Sequence, residues 1–146
     1  MDEPIVLRPG EGERIGDSTV KAARPELSLI EGDVEPGDEV RPHLHRGHSD
    51  SFYVLEGELE FRIGGEVVTA PAGSFVLAPP GVVHGFRNAS GERARVLNLH
   101  TPGGFAEYRR ELAALREKGI EPETAFFEHH DVFASIERLG QATVRP

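Results

Sequence analysis

The 146-residue chain contains no cysteine, which excludes disulfides, thiolate metal sites and cysteine nucleophiles together. Positive charge is scarce: 16 Lys and Arg stand against 25 Asp and Glu, for a formal net charge of −9. Nucleic acid and anionic membrane both call for a basic patch, so neither is expected as a partner. No apolar run approaches the length that spans a bilayer. The opening Met1-Asp2-Glu3-Pro4 is acidic and lacks the basic-then-apolar layout of a signal peptide, so a soluble cytoplasmic protein is expected. Internal repeats and low-complexity segments are also missing. The length suits one domain, taken as 1–146.

Turn residues are plentiful, with 17 Gly and 11 Pro spread along the chain. They separate short apolar runs, which favours an all-β domain. The strands expected are 19–23, 26–33, 51–55, 58–63, 66–70, 74–78, 83–87 and 93–100, with Gly64-Gly65 closing a two-residue hairpin. Many short strands at such spacing predict a sandwich or barrel, with a core over about 19–100. Beyond Thr101 the period changes. Phe105, Tyr108, Leu112 and Leu115 recur at helical spacing, and Gly119 is a natural stop. A second, weaker helical stretch is expected over about 122–139. Together these form a helical cover over about 104–140, packed on the barrel.

Four of the seven histidines stand out. His43 and His45 are two apart, on a strand expected to begin after Pro42. Side chains at i and i+2 share a strand face, so both imidazoles can reach one cation. Asp50 follows on the next apolar segment, and His84 follows a Pro-x-Gly turn at a strand start. Taken alone, a His-x-His pair suits a surface as well as a metal site, and a lone His84 suits a turn or the core.

The spacing around these residues resembles the cupin superfamily. Its first motif runs Gly, five residues, His-x-His, three or four residues, Glu, six residues, Gly. The chain offers Gly37, His43, His45, Asp50 in place of Glu, and Gly57. The second motif runs Gly, five residues, Pro-x-Gly, two residues, His, three residues, Asn, matched by Gly73, Pro79, Gly81, His84 and Asn88. The resemblance covers about 27–100 and implies a single double-stranded β-helix, or jelly-roll, barrel with the C-terminal helices packed on it. It implies one divalent transition metal ion (Fe, Mn, Ni, Cu, Co or Zn) held by His43, His45, Asp50 and His84. Asp is one methylene shorter than Glu. Asp50 can bind after a small strand shift or through a bridging water, and His48 is a third candidate for the fourth ligand.

Other residues are expected to serve structure. Asn88 ties down a turn through its amide. Tyr53, Phe61, Phe75 and Phe86 are expected mostly in the core, with Phe52 on the Asp50 side of its strand and lining a pocket. His100, His129 and His130 are expected at the solvated surface, and the acidic run 31–39 as exposed loop charge. The fold alone specifies no reaction. The tail, from His100-Thr101-Pro102-Gly103-Gly104-Phe105 through the helix to Arg138-Leu139-Gly140-Gln141, looks like single-domain bacterial cupins similar to quercetin dioxygenases. That implies a metal-dependent dioxygenase acting on a small aromatic or enolisable compound, with Asp50 as the catalytic carboxylate that takes the substrate's proton. The alternatives are a non-redox metal-dependent cyclase or isomerase, and a non-catalytic small-molecule-binding barrel. A homodimer is expected, with 4–8 crossing between subunits.

Overall fold

Strand β6 (Glu58–Ile63) shows how the sequence builds this molecule: alternate residues Leu59 and Phe61 are buried while Glu58 is exposed. A computed structural model of the chain describes residues 3–135. In chain order the other elements are β1 (Glu13–Ile15), β2 (Ser18–Arg24), β3 (Leu27–Val34), β4 (Glu39–Leu44), β5 (Ser49–Glu56), β7 (Glu66–Pro71), β8 (Phe75–Ala78), β9 (His84–Arg87) and β10 (Ala94–Thr101). Helices α1 (Phe105–Glu117) and α2 (Thr124–His129) and the short strand β11 (Phe133–Ala134) follow. Two sheets form, ordered β1-β2-β3-β10-β5-β8 and β11-β4-β9-β6-β7. Their inner faces enclose Val34, Phe52, Val54, Leu59, Phe61 and Val96. This is the jelly-roll barrel expected from the sequence.

Helix α1 ends as expected, with Gly119 at φ 77° just beyond its C-cap, Lys118. Its Ala106 joins Ile15, Val20 and Ile30 in a second apolar cluster, so the helix covers the β1–β3 side of the first sheet. The second helix is shorter than expected. It stops at His129 because Asp131 adopts a left-handed φ of 64° and the chain turns into β11. β11 pairs with β4, Phe133 opposite Leu44 and Ala134 opposite His43. The rest of that stretch, with Arg138-Leu139-Gly140-Gln141, lies outside the described residues.

Strand β4 also departs from expectation. It begins at Glu39 rather than after Pro42, and ends at Leu44, one residue before His45. Pro42 is accommodated because the β4–β9 register shifts between Val40 and His43, so no ladder bond is required of its missing N–H. Gly85 is the counterpart on β9: a Cβ there would lie 2.6 Å from the Val40 carbonyl oxygen and 3.0 Å from Pro42 N. Gly57, at φ 73°, turns β5 into β6 where a Cβ would meet the Arg93 carbonyl at 2.9 Å.

Two of the aromatic strand residues are not in the core. Tyr53 and Phe75 face each other across β5 and β8 on the outer surface, because inward alternation on β5 belongs to Asp50, Phe52 and Val54. Phe61 is buried, and Phe86 packs against the core. Asn88 fulfils its expected role: Nδ2 donates to the carbonyls of Val34 and Glu92 at 2.9 and 2.7 Å, while Oδ1 accepts from Ser90 N at 2.9 Å. Glu31 and Asp33 belong to β3 rather than to a loop, whereas residues 35–39 are exposed. Among the described residues, no helix is long and apolar enough to cross a membrane.

Candidate metal centre

His43 stands near the end of β4, His45 just past it, Asp50 at the start of β5 and His84 at the start of β9. The β4–β9 register sets His43 opposite His84. One potential ligand atom from each of the four residues lies within 4.8 Å of the others. His45, Asp50 and His84 are buried, and His43 is partly so.

Each imidazole is fixed through its Nδ1. His43 Nδ1 lies 2.8 Å from the Arg41 carbonyl, His45 Nδ1 2.8 Å from the Asp131 carbonyl, and His84 Nδ1 2.9 Å from the Val82 carbonyl. A carbonyl oxygen only accepts, so Nδ1 carries the proton in all three and Nε2 is left for a ligand. Backbone orientation of this kind is how metal-binding histidines are held. Two of these Nε2 atoms then face one carboxylate oxygen: Asp50 Oδ2 lies 2.9 Å from His84 Nε2 and 3.3 Å from His45 Nε2. Lone pairs crowded so closely need a proton or a cation among them. The donor set therefore fits a divalent transition metal ion. The shorter side chain of Asp50 reaches the imidazoles without help.

Asp50 is itself anchored. Its Oδ1 accepts from Asn98 Nδ2 at 2.6 Å, and Nδ2 also donates to the Ser51 carbonyl at 3.1 Å. Burial opposes ionisation of Asp50, but the surrounding His100, His45 and His84 hold its carboxyl well below the usual carboxylate range. Burial, reinforced by the neighbouring His84, pushes His43 down to about 4.

His100 is not at the surface. It is fully buried, because β10 runs between β3 and β5 and sets His100 opposite Asp50. Its ring stacks on Phe105 at 3.7 Å, and Nε2 lies 3.0 Å from Asn98 Oδ1 and 3.3 Å from Asp50 Oδ1. Burial lowers its pKa to about 3. His48 does not join the four-residue set. It stacks on His45 at 4.2 Å, with its Nδ1 donating to Asp131 Oδ2 at 2.8 Å. His129 is exposed as expected, while His130 is half-buried against Tyr108 and Phe126.

A cavity of about 1450 Å³ opens beside this cluster, with His43, Asp50 and Asn98 among its polar lining and Phe52, Phe86 and Phe105 among its apolar walls. Phe52 thus lines the pocket as its strand parity predicts. Asn98, His100 and Asp131 were not picked out from the sequence. Strand parity offered a signal for the first two, since Val96, Asn98 and His100 share one face of β10.

The cupin domain model matches residues 31–100. The chain is 27% identical to quercetin 2,3-dioxygenase of Bacillus subtilis (strain 168) over 154 aligned positions, covering 98% of this chain and 45% of that protein. It is 33% identical over 64 residues to polyketide synthase CurC of Streptomyces cyaneus, covering 44% of this chain and 42% of that protein. The chain thus spans a little under half the length of these curated relatives. Among solved structures it is similar to an RmlC-like cupin from Shewanella frigidimarina NCIMB 400. That match has a TM-score of 0.59 and 26% identity, covering 70% of this chain and 93% of that one.

Proposed function

Because this chain is a small cupin, a fold that hosts many reactions, we propose its activity from the site: a metal-dependent dioxygenase acting on a small aromatic or enolisable compound. The observation that carries the reading is the convergence of His45 and His84 Nε2 on Asp50 Oδ2 beside a cavity with Phe52, Phe86 and Phe105 in its walls. His43, His45, Asp50 and His84 would hold the ion. When bound, it supplies Lewis-acid polarisation of a substrate oxygen and, if redox-active, oxygen chemistry.

The chain's own residues account for the rest. Phe52, Phe86 and Phe105 offer apolar walls to a flat or enolic substrate. Asp50 also lines the cavity, so its carboxylate is placed to take the proton of a substrate hydroxyl. Asn98, donating to Asp50 Oδ1, keeps the carboxylate from turning away. The similarity to quercetin 2,3-dioxygenase supports this substrate class. Three imidazoles and a carboxylate suit Zn(II) as well as a redox-active ion, which gives a second reading, a non-redox cyclase or isomerase with the same ligands.

The test is oxygen uptake by chelator-stripped protein reloaded separately with Fe(II), Mn(II), Co(II), Ni(II), Cu(II) or Zn(II), using flavonols as probe substrates. Oxygen consumption matching flavonol loss with a redox-active ion, and abolished by His84→Ala, is the expected result. Turnover with Zn(II) and no oxygen uptake would move the cyclase reading ahead. Metal-dependent ligand binding without product would leave a binding barrel.

A further inference from the structure

Among the described residues three buried ring nitrogens have no hydrogen-bond partner, and two of them, Nε2 of His48 and Nδ1 of His100, lie in neighbouring rings. Their neighbours fix what each carries. His48 Nδ1 faces Asp131 Oδ2 at 2.8 Å, a carboxylate oxygen that accepts, so the proton is on Nδ1 and the Nε2 lone pair is free. His100 Nε2 faces Asn98 Oδ1 at 3.0 Å and Asp50 Oδ1 at 3.3 Å. The Asn98 amide cannot be turned over, because its Nδ2 already donates to Asp50 Oδ1 and the Ser51 carbonyl. His100 therefore carries its proton on Nε2 and a lone pair on Nδ1.

A buried polar atom left unpaired forfeits its hydration with nothing in return. Here two occur in neighbouring rings whose centroids are 4.9 Å apart. Both rings lie against His45, whose Nδ1 is committed to the Asp131 carbonyl and whose Nε2 alone remains for a ligand. One ring nitrogen from each of His45, His48 and His100 lies within 4.8 Å of the others. The set holds imidazoles and no carboxylate, which suits Zn(II), Cu(II), Ni(II) or Co(II) rather than Mg(II) or Ca(II). A second cavity of about 270 Å³, lined by His48, Phe105, His130 and Asp131, lies on the His48 side of this set.

We propose that His45, His48 and His100 form a second position for a borderline divalent cation, alternative to the one formed by His43, His45, Asp50 and His84. His45 has one free nitrogen and belongs to both sets, so the two positions exclude each other. The chain binds one ion at a time and has two places to put it. This stands whatever reaction the barrel performs.

The test is titration of metal-free protein with Zn(II) by calorimetry, with Co(II) absorption as a second readout. His43→Ala and His84→Ala each remove a ligand from the first position only. Both variants are expected to keep one weaker Zn(II) site. Adding His48→Ala or His100→Ala to the His43→Ala background should weaken that residual site at least tenfold, whereas His48→Ala alone should change wild-type affinity less than threefold. Because His84 is fully buried, His43→Ala carries the result if His84→Ala fails to fold. Loss of all binding in a folded His43→Ala protein would overturn the proposal. So would residual binding indifferent to His48 and His100, or two ions bound at once to the wild-type chain. Since the readout is binding alone, it is independent of whether flavonols are turned over.

Discussion

The Asp131 carboxylate accepts three hydrogen bonds, from the amides of Arg46 and Gly47 at 2.7 Å each and from His48 Nδ1 at 2.8 Å. Its own carbonyl receives His45 Nδ1. One residue after α2 thereby fixes the whole segment between β4 and β5. Its left-handed φ of 64° is tolerated by Asp and needs no strain elsewhere if glycine replaces it. Asp131→Gly thus isolates the loss of the carboxylate. It should cost about 1–3 kcal/mol, as three hydrogen bonds are lost together, two from exposed amides and one from the part-buried His48 ring. At about 2–4 °C per kcal/mol for a domain near this size, thermal melts should fall by roughly 2–12 °C, with Asp131→Asn falling less. An unchanged melt would mean that water replaces the clamp at no cost. Asp131 was illegible in the sequence because its partners lie 83 to 86 residues away and no local pattern links them. His43, His45, Asp50 and His84 were legible because their spacing is written into two short segments. His100 shows an intermediate case: β10 parity pairs it with Asn98, but only the sheet order reveals that β10 is covered on both sides by neighbouring strands.

At the scale of elements, the contact of β4 with β9 decides whether His43 can face His84. The bulge at Pro42 brings backbone within 2.6 Å of where a Gly85 Cβ would stand, and the close atoms are backbone rather than a flexible side-chain end. Gly85→Ala should therefore push the two strands apart, costing about 1–3 kcal/mol as overpacking does. It should also weaken divalent-metal binding, because His84 is the next residue. Gly73→Ala provides a contrast, since nothing lies within 4 Å of its added Cβ and only the strain of φ 95° applies. Parallel melts and metal titrations of the two variants check this; equal metal affinity in both would detach the centre from the β4–β9 approach. The same region marks the limit of what local pattern discloses. Alternation recovered β6 and β10 to within a residue or two, since each buries one face, and the Gly64-Gly65 hairpin located β7. Pro42 suggested a strand start, yet the strand passes through it, because a register shift removes the hydrogen bond that proline cannot make. β1 and β11 are three and two residues long, too short for any period to declare itself.

For the whole molecule, the four candidate ligands are drawn from both sheets. His43 and His84 belong to the sheet containing β4 and β9, Asp50 to the sheet containing β5, and His45 follows β4. An ion held by all of them would fasten one wall of the barrel to the other from inside. Unfolding separates these residues, so the ion favours the folded chain by mass action. With free ion at about a hundred times its dissociation constant, that contribution is about 2.7 kcal/mol. At about 2–4 °C per kcal/mol it raises the melting temperature by roughly 5–10 °C. Scanning calorimetry of the chelator-stripped chain with and without added Zn(II) should show this rise, reversed by chelator and reduced in His84→Ala. His48→Ala should retain it, because His48 stands outside the set that joins the sheets. If one ion binds per wild-type chain and the melt does not move, the ion is not bridging the two walls. It would then have to be bound equally well by unfolded chain, which a cluster gathered from three separate strands gives no reason to expect.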